Sequence, residues 1–213
     1  MREHFERVFA PLRLWATDDE LPADFRPQYD LTPPLRPRLR AAQRNRASTD
    51  VAVTGDRVRL SLGDLATLDI DAVVNVATQD LSPMSYGLNA AIHRAAGPAL
   101  QAECKMLGSC PAGDAVVTRG HKMKARWIVH AVPPQTQEHL AATFRNVLRR
   151  AADIGVLSLA VPELISGAVG STARIAVREA RAWCRVNARP AQILFCLPDQ
   201  QALSSYREYL AAA

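Results

Sequence analysis

Beyond about residue 50 the apolar positions fall into two alternating periods. Arg57-Val58-Arg59-Leu60-Ser61-Leu62 alternates with period two, which predicts a half-exposed strand. Ala72-Val73-Val74-Asn75-Val76 is a short continuous apolar run, expected of a strand covered on both faces. Leu88 to Met106 then predicts one helix, with Ile92, Ala96, Leu100 and Cys104 on a single stripe. Two strands follow at 113–118 and 127–132, and a helix over 140–154 turns Leu140, Phe144, Val147, Leu148 and Ala151 inward. A strand at 157–162, a helix at 171–186, a strand at 192–197 and a last helix through Leu210, N-capped by Asp199, complete the pattern. Strands alternating with helices of this length predict an α/β fold: a mixed, mostly parallel sheet covered by helices on both faces.

The first fifty residues behave differently. Phe5, Val8, Phe9, Leu12 and Leu14 have helical spacing, but Pro11 interrupts it, and prolines at 22, 27, 33, 34 and 37 forbid a long regular element. Residues 1–50 are therefore expected to form an extension and 51–213 the folded domain. With 213 residues, 48% of them apolar and 22% charged, the chain is long enough for a sizeable core. No apolar run reaches membrane-span length, and the N-terminus lacks a secretory apolar stretch. A soluble intracellular protein, cytoplasmic or nuclear and with no membrane partner, is the expectation.

The net charge of +5 is concentrated: Arg36, Arg38, Arg40, Arg44 and Arg46 fall within eleven residues that contain no acid. No aromatic side chains are interleaved to stack bases, so a solvated linker, or a helix packing through Leu35 and Leu39, is expected and nucleic acid is an unlikely partner. Cys104, Cys110, Cys184 and Cys196 show no CxxC spacing, which predicts buried thiols, no disulfide framework and no metal site.

Several separated segments carry more. They are Gly63-Asp64 ahead of Asp71-Ala72-Val73-Val74-Asn75; Ala91-Ile92-His93-Arg94-Ala95-Ala96-Gly97-Pro98; Gly113-Asp114-Ala115; Thr118-Arg119-Gly120; and Trp127-Ile128-Val129-His130. In this order and spacing they resemble the macrodomain family, over roughly residues 57 to 210. The resemblance implies a three-layer α/β/α fold and an ADP-ribose ligand, with no cofactor. It gives Asp64 the adenine amine, an acceptor role that suits a carboxylate, with the backbone at Leu65 reading the ring nitrogen. Asp64 also suits capping of the turn that follows it.

The same resemblance places a diphosphate loop at Pro162 to Gly170. Relatives carry Ser-Thr-Gly-aliphatic-aromatic-Gly here; this chain keeps Ser166, Gly167 and Gly170, so the backbone amides still form an anion nest, with Ala168 between them. Val169 stands in the aromatic position, Ile165 in that of the serine, and Glu163 adds a charge unwelcome beside phosphates.

The second loop departs further. Hydrolytic relatives have Asn-Ala-Ala-Asn, a run of glycines, then Val-Asp-Gly. Here Asn75-Val76-Ala77-Thr78 puts a threonine at the second asparagine, Ser82-Pro83-Met84-Ser85-Tyr86 replaces the glycines, and Gly87-Leu88-Asn89 puts an amide where the acid belongs. An amide has no basic lone pair for general-base work near neutral pH. His93 lies one helical turn beyond Asn89, on the same face; His130 is expected to be a satisfied interior histidine and His121 an exposed one. Tyr86 either stacks on the ligand or fills the pocket.

With Asp64, Leu65, Asn75, Thr78, Gly87, Leu88, Asn89 and 166–170 as ligand contacts, the resemblance implies a module that binds free or protein-linked ADP-ribose with little or no hydrolysis. One alternative is an ADP-ribosyl-protein hydrolase or O-acetyl-ADP-ribose deacetylase. Another is a degenerate domain, closed by Pro83, Met84 and Tyr86, that serves as an interaction scaffold.

Overall fold

The computed structural model describes residues 57–134, 136, 139–165 and 169–211. The expected extension, its arginine run and the boundary at 50/51 lie outside the described residues, as do Ser166, Gly167 and Ala168.

Strands β1 (Val58–Leu62), β2 (Ala72–Val76), β3 (Ala115–Arg119), β4 (Trp127–Ala131), β5 (Ser158–Val161) and β6 (Gln192–Leu197) form one sheet in the order β1-β6-β5-β2-β4-β3. All neighbours are parallel except β3 and β4. The continuous apolar run of β2 sits between β5 and β4, where a strand has no solvent-facing side. Helices α1 (Gly87–Ala96) and α2 (Pro98–Leu107) pack on β2 and β3 respectively. Helices α3 (Leu140–Asp153), α4 (Val169–Val186) and α5 (Gln200–Ala211) pack side by side, and their contacts with the sheet complete the larger core. Along each strand the pleat sends alternate side chains to opposite layers: Val74, Val129 and Phe195 enter the large core, while Asn75 and His130, their neighbours in sequence, take the other side.

One predicted element is divided in two. The single helix over Leu88–Met106 is two helices, because Gly97 closes α1 at φ 80 and Pro98 opens α2 in its first turn. The apolar stripe survives the break: Ile92, Ala96, Leu100 and Cys104 are all essentially inaccessible. The remaining elements match the predicted ones within two or three residues at either end, and Asp199 Oδ1 accepts from the Ala202 N–H at 2.8 Å, as an N-cap should.

Polar side chains lock the ends of the sheet. Asp71 Oδ2 accepts from the backbone N–H groups of Leu157 and Ser158 and from Ser158 Oγ, each at 3.0 Å, pinning β2 to β5. Arg57 caps the C-terminus of α4, donating to the carbonyls of Cys184 (2.6 Å), Asn187 (2.7 Å), Ala188 (3.1 Å), Ala191 (3.1 Å) and Pro190. Cys104, Cys110 and Cys196 are buried and in no disulfide, the first two pushed up to about 12 chiefly by burial; Cys184, contrary to expectation, is only partly buried. No helix among the described residues is long and apolar enough to cross a membrane.

Candidate functional site

Because β1, β6, β5, β2 and β4 run parallel, their C-terminal ends share one edge, where open α/β sheets bind ligands. The turn after β1, the segment after β5 and the loop after β2 therefore stand in a row. Three strand spacings separate β1 from β2, about 14 Å.

At the β1 end, Gly63 donates to the Leu197 carbonyl at 3.3 Å and presents Asp64. Asp64 is exposed, and its Oδ1 accepts from the Ala66 N–H at 2.9 Å, capping the short 3-10 turn Leu65–Thr67. The capping role inferred from sequence is thus present, and it leaves Oδ2 unengaged among the described residues. Leu65 is 3% exposed, so its side chain offers a ligand no surface.

In the middle of the edge, Pro162–Ile165 lead out of β5, and α4 begins at Val169. Gly170 is exposed, and a side chain there would first meet the Tyr209 hydroxyl at 4.0 Å. Glu163 is half-buried, and burial followed by the Asp199 carboxylate raises it above the ordinary glutamate range. Its Oε1 is buried with no partner among the described residues. Nearby, α1 offers a second N-terminus: Tyr86 occupies the N-cap position but makes no side-chain cap, which leaves the first-turn N–H groups uncapped by any side chain. Gly87 takes φ 76, a conformation that favours glycine, and a Cβ there would meet nothing within 4 Å.

The loop after β2 is closed on itself. Thr78 Oγ1 donates to Asp80 Oδ1 at 2.6 Å, the Ser82 N–H donates to the same oxygen at 3.2 Å, and Ser82 Oγ donates to Asp80 Oδ2 at 2.8 Å. These bonds hold the Asp80 carboxyl below the usual range, the Thr78 hydroxyl contributing most. Leu81, at φ 57 and 1% exposed, anchors the loop in the core. Asn89 is 2% exposed and bonded at both ends of its amide: its Oδ1 accepts from the Met84 N–H at 2.7 Å, and its Nδ2 donates to the Val76 carbonyl at 3.3 Å. Sequence reasoning missed Asp80 and Ser82, although the Asp-x-Ser spacing is an Asx-turn signal. Pro83, Met84 and Tyr86 are exposed, the tyrosine at 77%, so none of them is buried as a plug would be.

Behind this loop, Asn75 Nδ2 donates to His130 Nδ1 at 3.1 Å, and His130 Nε2 donates to Thr118 Oγ1 at 2.8 Å. Burial, then neighbouring His93, depresses His130 to about 3, so it is a neutral, satisfied interior histidine as expected. Asn75 is completely buried; only its Oδ1 lacks a protein partner among the described residues. His93 is likewise buried, which lowers its pKa, and its Nε2 is unpartnered there. His121 is not exposed: its Nε2 lies 2.7 Å from Glu103 Oε2, and the same carboxylate accepts from the Arg119 N–H. Among the described residues no group of three or more His, Cys, Asp or Glu could hold a metal ion.

A mixed six-stranded sheet between two helical layers, with an acidic turn and helix N-termini along its C-terminal edge, defines an α/β domain of the kind whose sheet edge admits ligands. The Macro domain family model matches residues 74–180. A macro domain-containing protein of Mesorhizobium japonicum is 38% identical over 168 residues, covering 74% of this chain and 95% of that protein. The chain belongs to the macro domain family. An O-acetyl-ADP-ribose deacetylase of Klebsiella pneumoniae is 36% identical over 71% of this chain and 94% of its own length. The Trypanosoma brucei macrodomain solved in complex with ADP-ribose superposes with a TM-score of 0.68 at 26% identity, covering 72% of this chain and 71% of that one.

Proposed function

We propose that this domain binds ADP-ribose, free or attached to protein, along the C-terminal edge of its sheet, and turns it over slowly or not at all. The observation that carries the binding half is the placement of the acidic Asp64 turn after β1 and of the loop leading into the α1 N-terminus after β2, on one sheet edge whose two strands lie three spacings, about 14 Å, apart. In this reading Asp64 accepts from the adenine amine, the backbone at Leu65 faces the ring, and the amides of 166–170 with those of Gly87 and Leu88 take the diphosphate. Asn75, completely buried, ties the end of β2 to β4 through His130 beneath the loop and does not itself meet the ligand.

The second half rests on Asn89. Its amide is buried and bonded at both ends, so it neither abstracts a proton nor holds a water for attack. The competing reading, hydrolysis of an ADP-ribosyl ester as in a deacetylase, draws support from the Klebsiella relative. It would require the substrate's own phosphate to polarise water, because the carboxylate in this loop, Asp80, is held by Thr78 and Ser82 below the usual range and is a weak base.

Calorimetric titration of the full chain with ADP-ribose tests the proposal. Saturable binding is expected, and Asp64→Ala should weaken it about tenfold or more, the effect of one hydrogen bond to a charged group. Equal affinity of the two proteins would remove Asp64 from the site. Steady release of ADP-ribose from a modified protein, above the buffer rate, would favour the deacetylase-like reading.

A further inference from the structure

We infer that the outer face of α3 and α4 is a second binding surface, one that takes the sugar-phosphate backbone of a nucleic acid duplex. It is independent of the crevice and goes beyond the function proposed above. Neither helix alone has a basic run; packing them side by side gathers their charges.

The charged residues of the two helices are seven arginines and two acids. On α4, Arg174, Arg178, Arg181 and Arg185 recur every three or four residues, which puts them on one stripe about 16 Å long. Arg145 and Arg149 stand one turn apart on α3. Buried Glu179 joins the two rows: its Oε2 lies 2.9 Å from Arg145 Nη1 and its Oε1 2.8 Å from Arg178 Nη2. Both arginine side chains stay more than half exposed, at 53% and 64%. Arg149, Arg174 and Arg185 are exposed too, while Arg181 is tied to the Leu210 carbonyl at 2.8 Å. The other acid, Asp153, closes α3 beside Arg150 and Arg149.

Like charges one helical turn apart repel, and a row of phosphates relieves that repulsion while releasing its own counterions. Glu179 offsets one charge but holds two guanidinium forks in place, a geometry suited to bidentate contact with phosphate oxygens. The choice of occupant follows from what the face lacks. Of the exposed large hydrophobics among the described residues, only Val186 lies on these helices, at the last position of α4. No aromatic platform is offered to unpaired bases, and a protein partner would find one apolar anchor. A duplex backbone, read by charge and not by sequence, fits this surface better than a single strand or an acidic peptide.

The test is fluorescence anisotropy of the full chain with a labelled DNA duplex of mixed sequence, repeated across salt concentrations. The triple variant Arg149→Gln, Arg174→Gln, Arg185→Gln spares both partners of Glu179. It should weaken binding about tenfold or more and lower the slope of log affinity against log salt by about 2–3. Each single variant should lower that slope by about one, which keeps the reading available should the triple variant lose its native circular dichroism. A control triple, Arg38→Gln, Arg40→Gln, Arg44→Gln, lies off this face and should lose clearly less, and excess ADP-ribose should not displace the duplex. The inference is overturned if wild type fails to bind the duplex, if folded helix variants bind like wild type, or if the control loses as much. It is overturned equally if polyglutamate or single-stranded DNA competes as well as unlabelled duplex, or if ADP-ribose displaces it. None of these results bears on whether the crevice binds ADP-ribose.

Discussion

Replacing Asn89 by aspartate puts an acid where the family resemblance leads one to expect it, yet the structure predicts a weaker domain and not a working enzyme. The new carboxylate still accepts from the Met84 N–H, but it cannot donate to the Val76 carbonyl, 3.3 Å from the present Nδ2. One hydrogen bond is lost, two acceptors face each other, and an anion is placed at a position only 2% exposed. The lost bond and the unsatisfied carbonyl each cost about 1–2 kcal/mol, and the buried charge adds to them. Strengthening of the Met84 bond offsets part of this, which leaves a net loss of about 2–4 kcal/mol at pH 7.5. For a domain of this size that lowers Tm by roughly 5–15 °C.

The loss has a sign in pH. Burial holds the new carboxyl above its unfolded pKa, so the penalty is full above the folded pKa and fades as pH falls through it, where the protonated acid again donates to Val76. Differential scanning of both proteins at pH 7.5 and pH 4.5 should show a gap that narrows in acid. An Asn89→Asp protein as stable as wild type at pH 7.5, and newly able to release ADP-ribose, would refute the reasoning by placing this side chain in the crevice.

Other expectations follow from single contacts. His130, held at about 3 when folded, titrates near 6.5 when unfolded, so stability should fall by about 1.4 kcal/mol per pH unit below pH 6.5. Urea midpoints that stay flat from pH 7 to 5 would contradict this. Gly120→Ala would put a Cβ 1.8 Å from the Ala125 carbonyl oxygen, at the base of the β3–β4 hairpin. The expected loss is about 3 kcal/mol or more, read by chemical denaturation. Arg57→Ala leaves the carbonyls at the end of α4 without their donor and should cost about 2–4 kcal/mol. Lysine should recover only part of that loss, because an ammonium cannot reproduce the guanidinium fork.

Where a property is set by local periodicity, the chain carried it legibly. The apolar run of β2 and the inward faces of α1 and α3 follow from spacing alone, and burial agrees with them residue by residue. The break at Gly97-Pro98 escaped because the stripe runs straight through it: both helices lie on one face of the sheet, so the period that signals a helix continues across two. His130 was recognisable as an interior histidine from its apolar strand, but its partners Asn75 and Thr118 come from neighbouring strands and depend on register. His121 was misplaced because Glu103, eighteen residues earlier, covers it. At the site, the substitution of an amide at 89 was visible in the chain. Its occupation by Met84 and Val76 was not, since both contacts depend on how the loop folds back over α1.

The central claim is that the sheet edge from Asp64 to the α1 N-terminus is an ADP-ribose crevice whose loop is already satisfied by its own hydrogen bonds. A crystal structure of the full chain soaked with ADP-ribose tests it most directly. The account predicts adenine against Asp64, phosphate oxygens on the amides of 166–170 and of the first turn of α1, and Asn89 still bonded to Met84 and Val76. Ligand density elsewhere, or a crevice in which Asn89 has swung out to hold the terminal ribose, would contradict it.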